Sequence, residues 1–253
     1  MTERNGKDKK NVFQQAVLLL YPRRCAVCGA LLTHGESELC ADCTRQCRLD
    51  EMRCCPRCLM EQAQCRCAPM DMPRRGPECY AHLLPYPSKT ANGIISKLKK
   101  KHANAQIDFC AERLSRLLRK IAEEKHFSAQ NTVVSYIPRS PGNVNAYGYD
   151  HASIVSARIA RSCALPFSRL LYQSGGGAEQ KNLRSAQRRE NALAHFHLRR
   201  GAQDAVKGKN VVLVDDVITS GASMYACCCH LRAAGALQIV ALTLAKTEYH
   251  YTE

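Results

Sequence analysis

Apolar positions recur at helical spacing in the middle of the chain and then give way to short apolar runs. Residues 106–124 predict a helix whose apolar face is formed by Phe109, Leu114, Leu117, Leu118 and Ile121. Residues 132–137 form a β-branched run that stops at Pro138, which predicts a buried strand. The change from helical spacing of apolar residues to short apolar runs indicates that helices and strands follow one another along the chain.

The carboxyl-terminal part shows this alternation most clearly. Residues 211–214 predict a buried strand, residues 223–234 a helix that Gly235 ends, and residues 238–244 another strand. Further strands are predicted at 80–86 and 168–172, and further helices at 12–20, 92–101 and 151–163. Such alternation predicts an α/β fold with a mostly parallel sheet and helices on both faces.

The chain of 253 residues contains 16 cysteines, and 11 of them lie in the first 79 residues. A secreted disulfide scaffold would be short and would follow a signal peptide, and we expect neither property here. Clustered cysteines in a reducing compartment more often bind metal. We therefore expect a cytoplasmic protein in three parts: a tail with a short helix (1–22), a zinc-ribbon module (23–70) and an α/β domain (78–253).

Two cysteine pairs have the spacing of a zinc ribbon. Cys25 and Cys28 are separated from Cys40 and Cys43 by eleven residues, and each pair forms a knuckle that presents two thiolates. The alternatives are accidental cysteines or disulfides. If the site holds structural zinc, removing the metal should unfold the first 67 residues and leave the α/β domain largely intact.

A second zinc site is suggested by Cys55, Cys58, Cys65 and Cys67. The one-residue spacing of the last pair is irregular, and Cys54 competes with Cys55 as a ligand. Three adjacent cysteines at 227–229 lie in a predicted helix, where neighbours face different directions, so we expect them to serve core packing.

The formal net charge is +15, which favours polyanionic partners such as nucleic acid or phosphorylated small molecules. No apolar run approaches the roughly 20 residues that a membrane-spanning helix needs. We therefore expect no membrane span.

Two acids, Asp215 and Asp216, end the strand predicted at 211–214, and small hydroxyl-bearing residues follow them. Ligands of open α/β sheets bind at this end of a strand. A loop made of Thr219, Ser220, Gly221, Ala222 and Ser223 allows close backbone approach and opens a helix, whose N-terminus attracts phosphate. The carboxylates can accept hydrogen bonds from sugar hydroxyls. An unrelated strand-to-helix turn with capping hydroxyls is the alternative.

The stretch from Val211 to Ser223 resembles the signature of type I phosphoribosyltransferases that binds 5-phosphoribosyl-1-pyrophosphate (PRPP). The resemblance implies that Asp215 and Asp216 contact the ribose and act in catalysis, and that residues 219–223 hold the 5′-phosphate. Arg139 and Ser140 are similar to that family's pyrophosphate loop, although an ordinary strand end would look the same.

A basic segment after three glycines at 175–177 is a candidate lid. Gln180, Arg188 and Arg189 would close over the anion, as mobile loops do in other enzymes. The same residues could instead begin a solvated helix.

The cysteine pairs followed by a PRPP-type domain resemble the ComF family of double-zinc-ribbon phosphoribosyltransferase-like proteins. The similarity rests on residues 21–25 with the pairs after them, 97–99, 137–139, 147–152 and 180–191, besides the acid-pair loop. Tyr147, Asp150 and His151 depart from the family's Arg-Gly-Phe-Asn-Gln-like run.

This resemblance implies two functions of different class. One is a phosphoribosyltransferase that uses PRPP with Mg²⁺, with an acceptor that the sequence does not reveal. The other is a non-catalytic accessory factor of natural competence that binds single-stranded DNA and competence-machinery proteins. The charge, the ribbon and the basic run at 97–102 favour DNA, but low aromatic content and the lack of tryptophan disfavour strong base stacking.

Overall fold

A computed structural model describes residues 22–69, 76–100, 103–175 and 185–248. The helix expected at 12–20 lies outside these ranges, as does most of the expected tail. The elements are α1 (Ala41–Met52), β1 (Cys79–Tyr86), α2 (Lys89–Leu98), α3 (Asn104–Glu124), β2 (Thr132–Tyr136), α4 (Pro141–Tyr147), α5 (His151–Ser162), β3 (Leu171–Gln173), α6 (Ser185–His195), β4 (Phe196–Leu198), α7 (Gln203–Val206), β5 (Asn210–Ile218), α8 (Ala222–Ala233) and β6 (Ile239–Thr247).

Four strands form one parallel sheet in the order β1-β6-β5-β2. Successive residues of β5 point to opposite faces, so that Val212 and Val214 contribute to one hydrophobic cluster and Val211 and Leu213 to the other. The first cluster includes apolar residues of α2, α3 and α5, and the second includes those of α8. The predicted parallel sheet covered on both faces is confirmed.

The strand predicted at 168–172 was misplaced. The structure has β3 three residues later, and it pairs antiparallel with β4 rather than joining the main sheet. Residue 167 instead forms an isolated parallel bridge with Val134 of β2. The cause is that the segment leaves the sheet edge to form a small hairpin, which an apolar run alone does not reveal.

The amino-terminal cysteine segment packs directly on α2 and α3. Val27 belongs to the same hydrophobic cluster as the sheet and these helices. A Cβ atom on Gly93 of α2 would lie 2.7 Å from Val27 Cγ1, so only glycine permits this approach. Gln106 Nε2 donates to Ala26 O over 2.7 Å, and Lys97 Nζ donates to Val27 O. The module and the domain therefore share one core in the described residues.

A second contact joins the module to the end of β6. Gln62 Nε2 donates to Glu248 Oε1 over 2.8 Å, Gln62 Oε1 lies 2.9 Å from His82 Nε2 on β1, and Arg53 forms an ion pair with Glu248.

None of the helices in the described part of the chain has both the length and the apolar composition that crossing a bilayer requires.

Candidate functional site

The loop after β5, residues 219–223, opens α8 without a side-chain cap. The N-cap residue is Gly221, whose φ of +74° is left-handed and which has no side chain to accept the first-turn N–H groups. By contrast, Ser140 caps α4 and Asp150 caps α5 with side-chain oxygens. The α8 terminus is therefore suited to receive an anion.

This loop, called the hydroxyl loop below, lines an open cleft of about 340 Å³ at the carboxyl end of the sheet. The wall is formed by Arg188, Asp215, Val217, Ile218, Thr219, Ser220, Gly221, Ala222, Ser223 and Met224. All five predicted phosphate-loop residues and one of the two lid arginines thus meet at one cleft.

The two acids lie within β5 and have different partners. Asp215 lines the cleft, and its Oδ1 accepts the N–H of Asp216 over 2.8 Å. Asp216 Oδ2 lies 2.9 Å from Arg139 Nη2 and 3.4 Å from Nε2 of the buried His151. Its Oδ1 accepts the N–H of Val217 over 2.8 Å. One acid therefore faces the cleft while the other is engaged in a mostly buried ion pair.

This difference in partners separates the pKa values of the two carboxyls. Burial and the charge of Asp216 raise the pKa of Asp215 well above its usual value. Burial also acts to raise the pKa of Asp216, but the hydrogen bond from His151 and the charge of Arg139 outweigh it and hold that pKa far below the usual value. Asp216 is therefore the charged member of the pair, and Asp215 is the member that resists ionisation.

The remaining predicted site residues are only partly brought together. Arg139 lies against Asp216, and Ser140 Oγ accepts the N–H of Asn143 over 3.4 Å as the cap of α4. Arg188 reaches the cleft, whereas Arg189 on the same helix is not part of its wall. Gln180 lies outside the described residues.

Sequence reasoning did not assign His151 to the site, although it noticed the residue as a departure. His151 is the first residue of α5, and its Nε2 lies 2.9 Å from Arg139 Nη2. Asp150 caps the helix and also accepts the N–H of Arg139 over 3.4 Å. The signal that could have revealed it is an Asp-His pair at a helix start in the strand-helix segment after Arg139.

The first cysteine tetrad has the geometry of a tetrahedral metal site. The Sγ atoms of Cys25, Cys28, Cys40 and Cys43 all lie within 4.8 Å of one another, and Cys28 and Cys40 are 3.7 Å apart. A Zn–S bond of about 2.3 Å implies a sulfur–sulfur edge of about 3.8 Å in a tetrahedron. Although burial raises the pKa of Cys25, backbone N–H groups bring it down to about 6. The donor set therefore suits zinc.

The Sγ atoms of the second tetrad, Cys55, Cys58, Cys65 and Cys67, also lie within 4.8 Å of one another. Leu59 follows the first pair with a left-handed φ of 59°, where the first knuckle has Gly29 at +84°. Burial acts to raise the pKa of Cys55, yet backbone N–H groups of the knuckle help to lower it to about 7. The irregular Cys65-x-Cys67 spacing thus still permits four converging thiols.

The other cysteines are separate from these tetrads. The Sγ of Cys54 is directed to Met52 O at 3.9 Å, so this cysteine does not replace Cys55. Cys227 and Cys228 are fully buried in α8, within the hydrophobic cluster that also contains Val211 and Leu213 of β5. This burial confirms the packing role predicted for them.

Two lysines of the basic run at 97–102 are directed to other parts of the protein. Lys97 is directed to the first knuckle, and Lys99 is half-buried and close enough to Asp216 for its charge to lower the pKa of that carboxyl. Residues 101 and 102 lie outside the described residues.

Residues 112–251, more than half of the chain, match the model of the phosphoribosyl transferase domain. The chain belongs to this family. The matched segment contains Arg139, the acid pair and the hydroxyl loop, so each lies in the phosphoribosyl transferase domain of this protein. The two cysteine tetrads precede it.

Several solved enzyme structures are similar to part of the chain. The allosteric regulatory enzyme of purine biosynthesis is 21% identical (TM-score 0.33), with 53% of this chain and 25% of that chain covered. Phosphoribosylpyrophosphate synthetase from Mycobacterium smegmatis is 18% identical (TM-score 0.33), with 52% of this chain and 33% of that chain covered. Hypoxanthine-guanine phosphoribosyl transferase from L. donovani is 10% identical (TM-score 0.37), with 55% of this chain and 70% of that chain covered. The chain thus spans a third or less of the first two, and such TM-scores support no functional conclusion. No curated protein matches the chain.

Proposed function

We propose that this protein binds PRPP in the cleft at the carboxyl end of β5. The observation that carries the proposal is the hydroxyl loop at the uncapped N-terminus of α8, which lines a cleft of about 340 Å³ beside an acid pair. Backbone N–H groups and hydroxyls of residues 219–223 would hold the 5′-phosphate. Membership of the phosphoribosyl transferase family supports this use of the loop.

The ribose and the diphosphate would be bound by the charged groups next to the loop. Asp215 lines the cleft and would accept hydrogen bonds from ribose hydroxyls, with Asp216 beside it. Arg139 and Ser140, in the segment between β2 and α4, would bind the diphosphate. Carboxylate oxygens also suit Mg²⁺, which when bound with the diphosphate neutralises charge on the leaving group.

Phosphoribosyl transfer would break the bond between ribose C1 and the pyrophosphate oxygen and form a bond from C1 to a nitrogen nucleophile. The protein's own contribution would be positioning and electrostatic stabilisation, since the Arg139 guanidinium would stabilise the negative charge that develops on pyrophosphate. Arg188, which lines the cleft, would shield the anion from water. With its two cysteine sites, the protein would be ComF-like and act in DNA uptake or nucleotide metabolism.

Calorimetric titration with PRPP and Mg²⁺ tests this proposal. We expect an affinity of about micromolar order, and we expect the double change Asp215→Asn and Asp216→Asn to abolish it. The exposed Asp204 of α7 provides a matched control, since Asp204→Asn removes one carboxylate away from the cleft. Binding that survives the double change unaltered would refute the assignment of the acid pair.

A second candidate function, binding of single-stranded DNA as a competence accessory factor, is supported by charge. Besides the net charge of +15, a groove of about 1420 Å³ between the first cysteine site and α3 and α5 contains five arginines and three acids. Oligonucleotide binding would then fall steeply between about 50 mM and about 300 mM salt. Arg116→Glu in the groove should weaken it more than Lys209→Glu elsewhere, and equal effects would argue against this surface.

A further inference from the structure

The second cysteine site contains a buried lysine that comes from the sheet. Lys246, near the end of β6, is only 4% exposed. Its Nζ lies 3.2 Å from Cys65 Sγ, 3.3 Å from Cys67 O and 4.0 Å from Cys55 Sγ. A buried ammonium requires a charged or strongly polar partner. Within the described residues Lys246 forms no ion pair with a carboxylate, so its partners are the atoms of the cysteine cluster.

The charges around this site balance when a divalent metal is bound. Four thiolates around Zn²⁺ carry a net charge of −2, which is costly to bury without cations. Lys246 supplies one positive charge, and Arg66, whose Nη1 donates to Cys65 O over 3.2 Å, supplies another. His82 beside them is neutral near pH 7, because burial and the charges of Lys246 and Arg66 lower its pKa to about 3.

The first cysteine site receives a lysine in a different way. Lys97 comes from α2 and donates to the backbone carbonyl of Val27, not to a sulfur atom. This lysine attaches the first knuckle to the domain, whereas the other approaches the metal ligands themselves. Lys97 therefore provides a matched comparison for Lys246.

The position of Lys246 also joins the second cysteine site to the cleft. In the pairing of β5 with β6, Lys246 is opposite Ile218, the residue immediately before the hydroxyl loop. The backbone of Lys246 therefore lies next to the strand end that leads into this loop.

We propose that Lys246 is the counter-cation of the second cysteine site: it holds zinc there through Cys65, and this contact fixes the end of β6 beside the hydroxyl loop. In this role the lysine acts through the metal ligands and touches no substrate. The inference requires zinc in the second tetrad and does not depend on PRPP binding.

Metal analysis of Lys246→Met against Lys97→Met tests the first part. We expect two zinc ions per chain in the unchanged protein and in Lys97→Met. In Lys246→Met we expect the second zinc to be bound about 10–100-fold more weakly, seen as loss of one equivalent or faster release to a chromogenic chelator. Lys246→Arg should retain most of the affinity, because it keeps the charge. Equal zinc content and release in Lys246→Met, or a single zinc in the unchanged protein, would overturn the proposal.

A second design covers the possibility that Lys246→Met folds poorly. In a Cys55→Ser and Cys65→Ser background the lysine no longer has the two sulfur atoms that it contacts, so Lys246→Met should then be neutral or stabilising in denaturant unfolding. The same loss of stability in both backgrounds would contradict a role toward the metal site.

Hydrogen exchange tests the connection to the cleft without any ligand. We expect faster exchange over residues 218–224 in Lys246→Met than in Lys97→Met. If zinc is lost while exchange in this segment stays unchanged, the link to the hydroxyl loop is wrong, even though the counter-cation role stands.

Discussion

The close approach of the first knuckle to α2 gives a direct test of how the cysteine module docks. In Gly93→Ala, the new Cβ would lie 2.7 Å from Val27 Cγ1 and 2.9 Å from Val27 O. The Cγ1 methyl group of Val27 can turn away, but the Val27 carbonyl belongs to the knuckle backbone and also accepts a hydrogen bond from Lys97. The knuckle or the helix must therefore move.

The expected magnitude follows from two opposing effects. Replacing a helical glycine with alanine favours the helix by roughly 1 kcal/mol, while overpacking a tight contact costs about 1–3 kcal/mol. Gly142 in α4 provides the control, because nothing lies within 4 Å of its Cβ position. We therefore expect Gly93→Ala to be less stable than Gly142→Ala by about 1–3 kcal/mol.

Denaturant or thermal unfolding of the zinc-loaded, reduced proteins measures this difference, which corresponds to about 2–4 °C per kcal/mol for a protein of this size. Adding Val27→Ala to Gly93→Ala should restore only part of the loss, because the carbonyl contact stays. If Gly93→Ala is as stable as Gly142→Ala, the module does not pack on α2 as described.

Three further outcomes are expected. Asp215→Asn should raise the melting temperature at pH 7, because the folded-state pKa of Asp215 lies above its unfolded value near 3.9; the gain should disappear as the pH falls below about 4, and a gain independent of pH would contradict the shift. Asp216→Asn should lower the melting temperature at pH 7, because it leaves Arg139 without its carboxylate. The stability that this carboxylate contributes is present above about pH 4 and is lost as the pH falls through the depressed folded-state pKa of Asp216. Chelation of zinc should destabilise the α/β domain as well as the module, because both share one core, and this should be seen as loss of the near-UV signal of the tyrosines. An unchanged signal would support the independent module expected from the sequence.

The fold and the cysteine tetrads were predictable because their signals are local. Knuckle spacing fixes which thiols converge, and apolar periodicity fixes which segments become helices or strands. The extension of β5 through Asp215 to Ile218 was not predictable, since carboxylates are rare in strands and only pairing with β6 supports them there. The hairpin of β3 and β4 was missed because both strands have only three residues and their pairing joins segments that are far apart in the sequence.

The partners of the site residues were beyond the sequence because they come from distant segments. Arg139 is 77 residues from Asp216, and Lys246 is 181 residues from Cys65. The sequence places Arg139 and Asp216 at strand ends, but it does not single out Lys246 and does not show which charges would pair. The docking of Val27 against Gly93 depends on a backbone contact between two segments and leaves no periodic signal.

The ion pair of Asp216 with Arg139 bears on how a sugar phosphate would enter the cleft. If Asp216 binds ribose and Arg139 binds diphosphate, each group must exchange a partner of opposite charge, 2.9 Å away, for a ligand group. Truncating one member of such a pair leaves the other charge mostly buried and uncompensated, whereas PRPP offers hydroxyls to the acid and phosphate oxygens to the arginine. The exchange is balanced only when both ends of the ligand are present. On this reasoning ribose 5-phosphate, which has no diphosphate, should bind far more weakly than PRPP although it carries the phosphate that fits the hydroxyl loop.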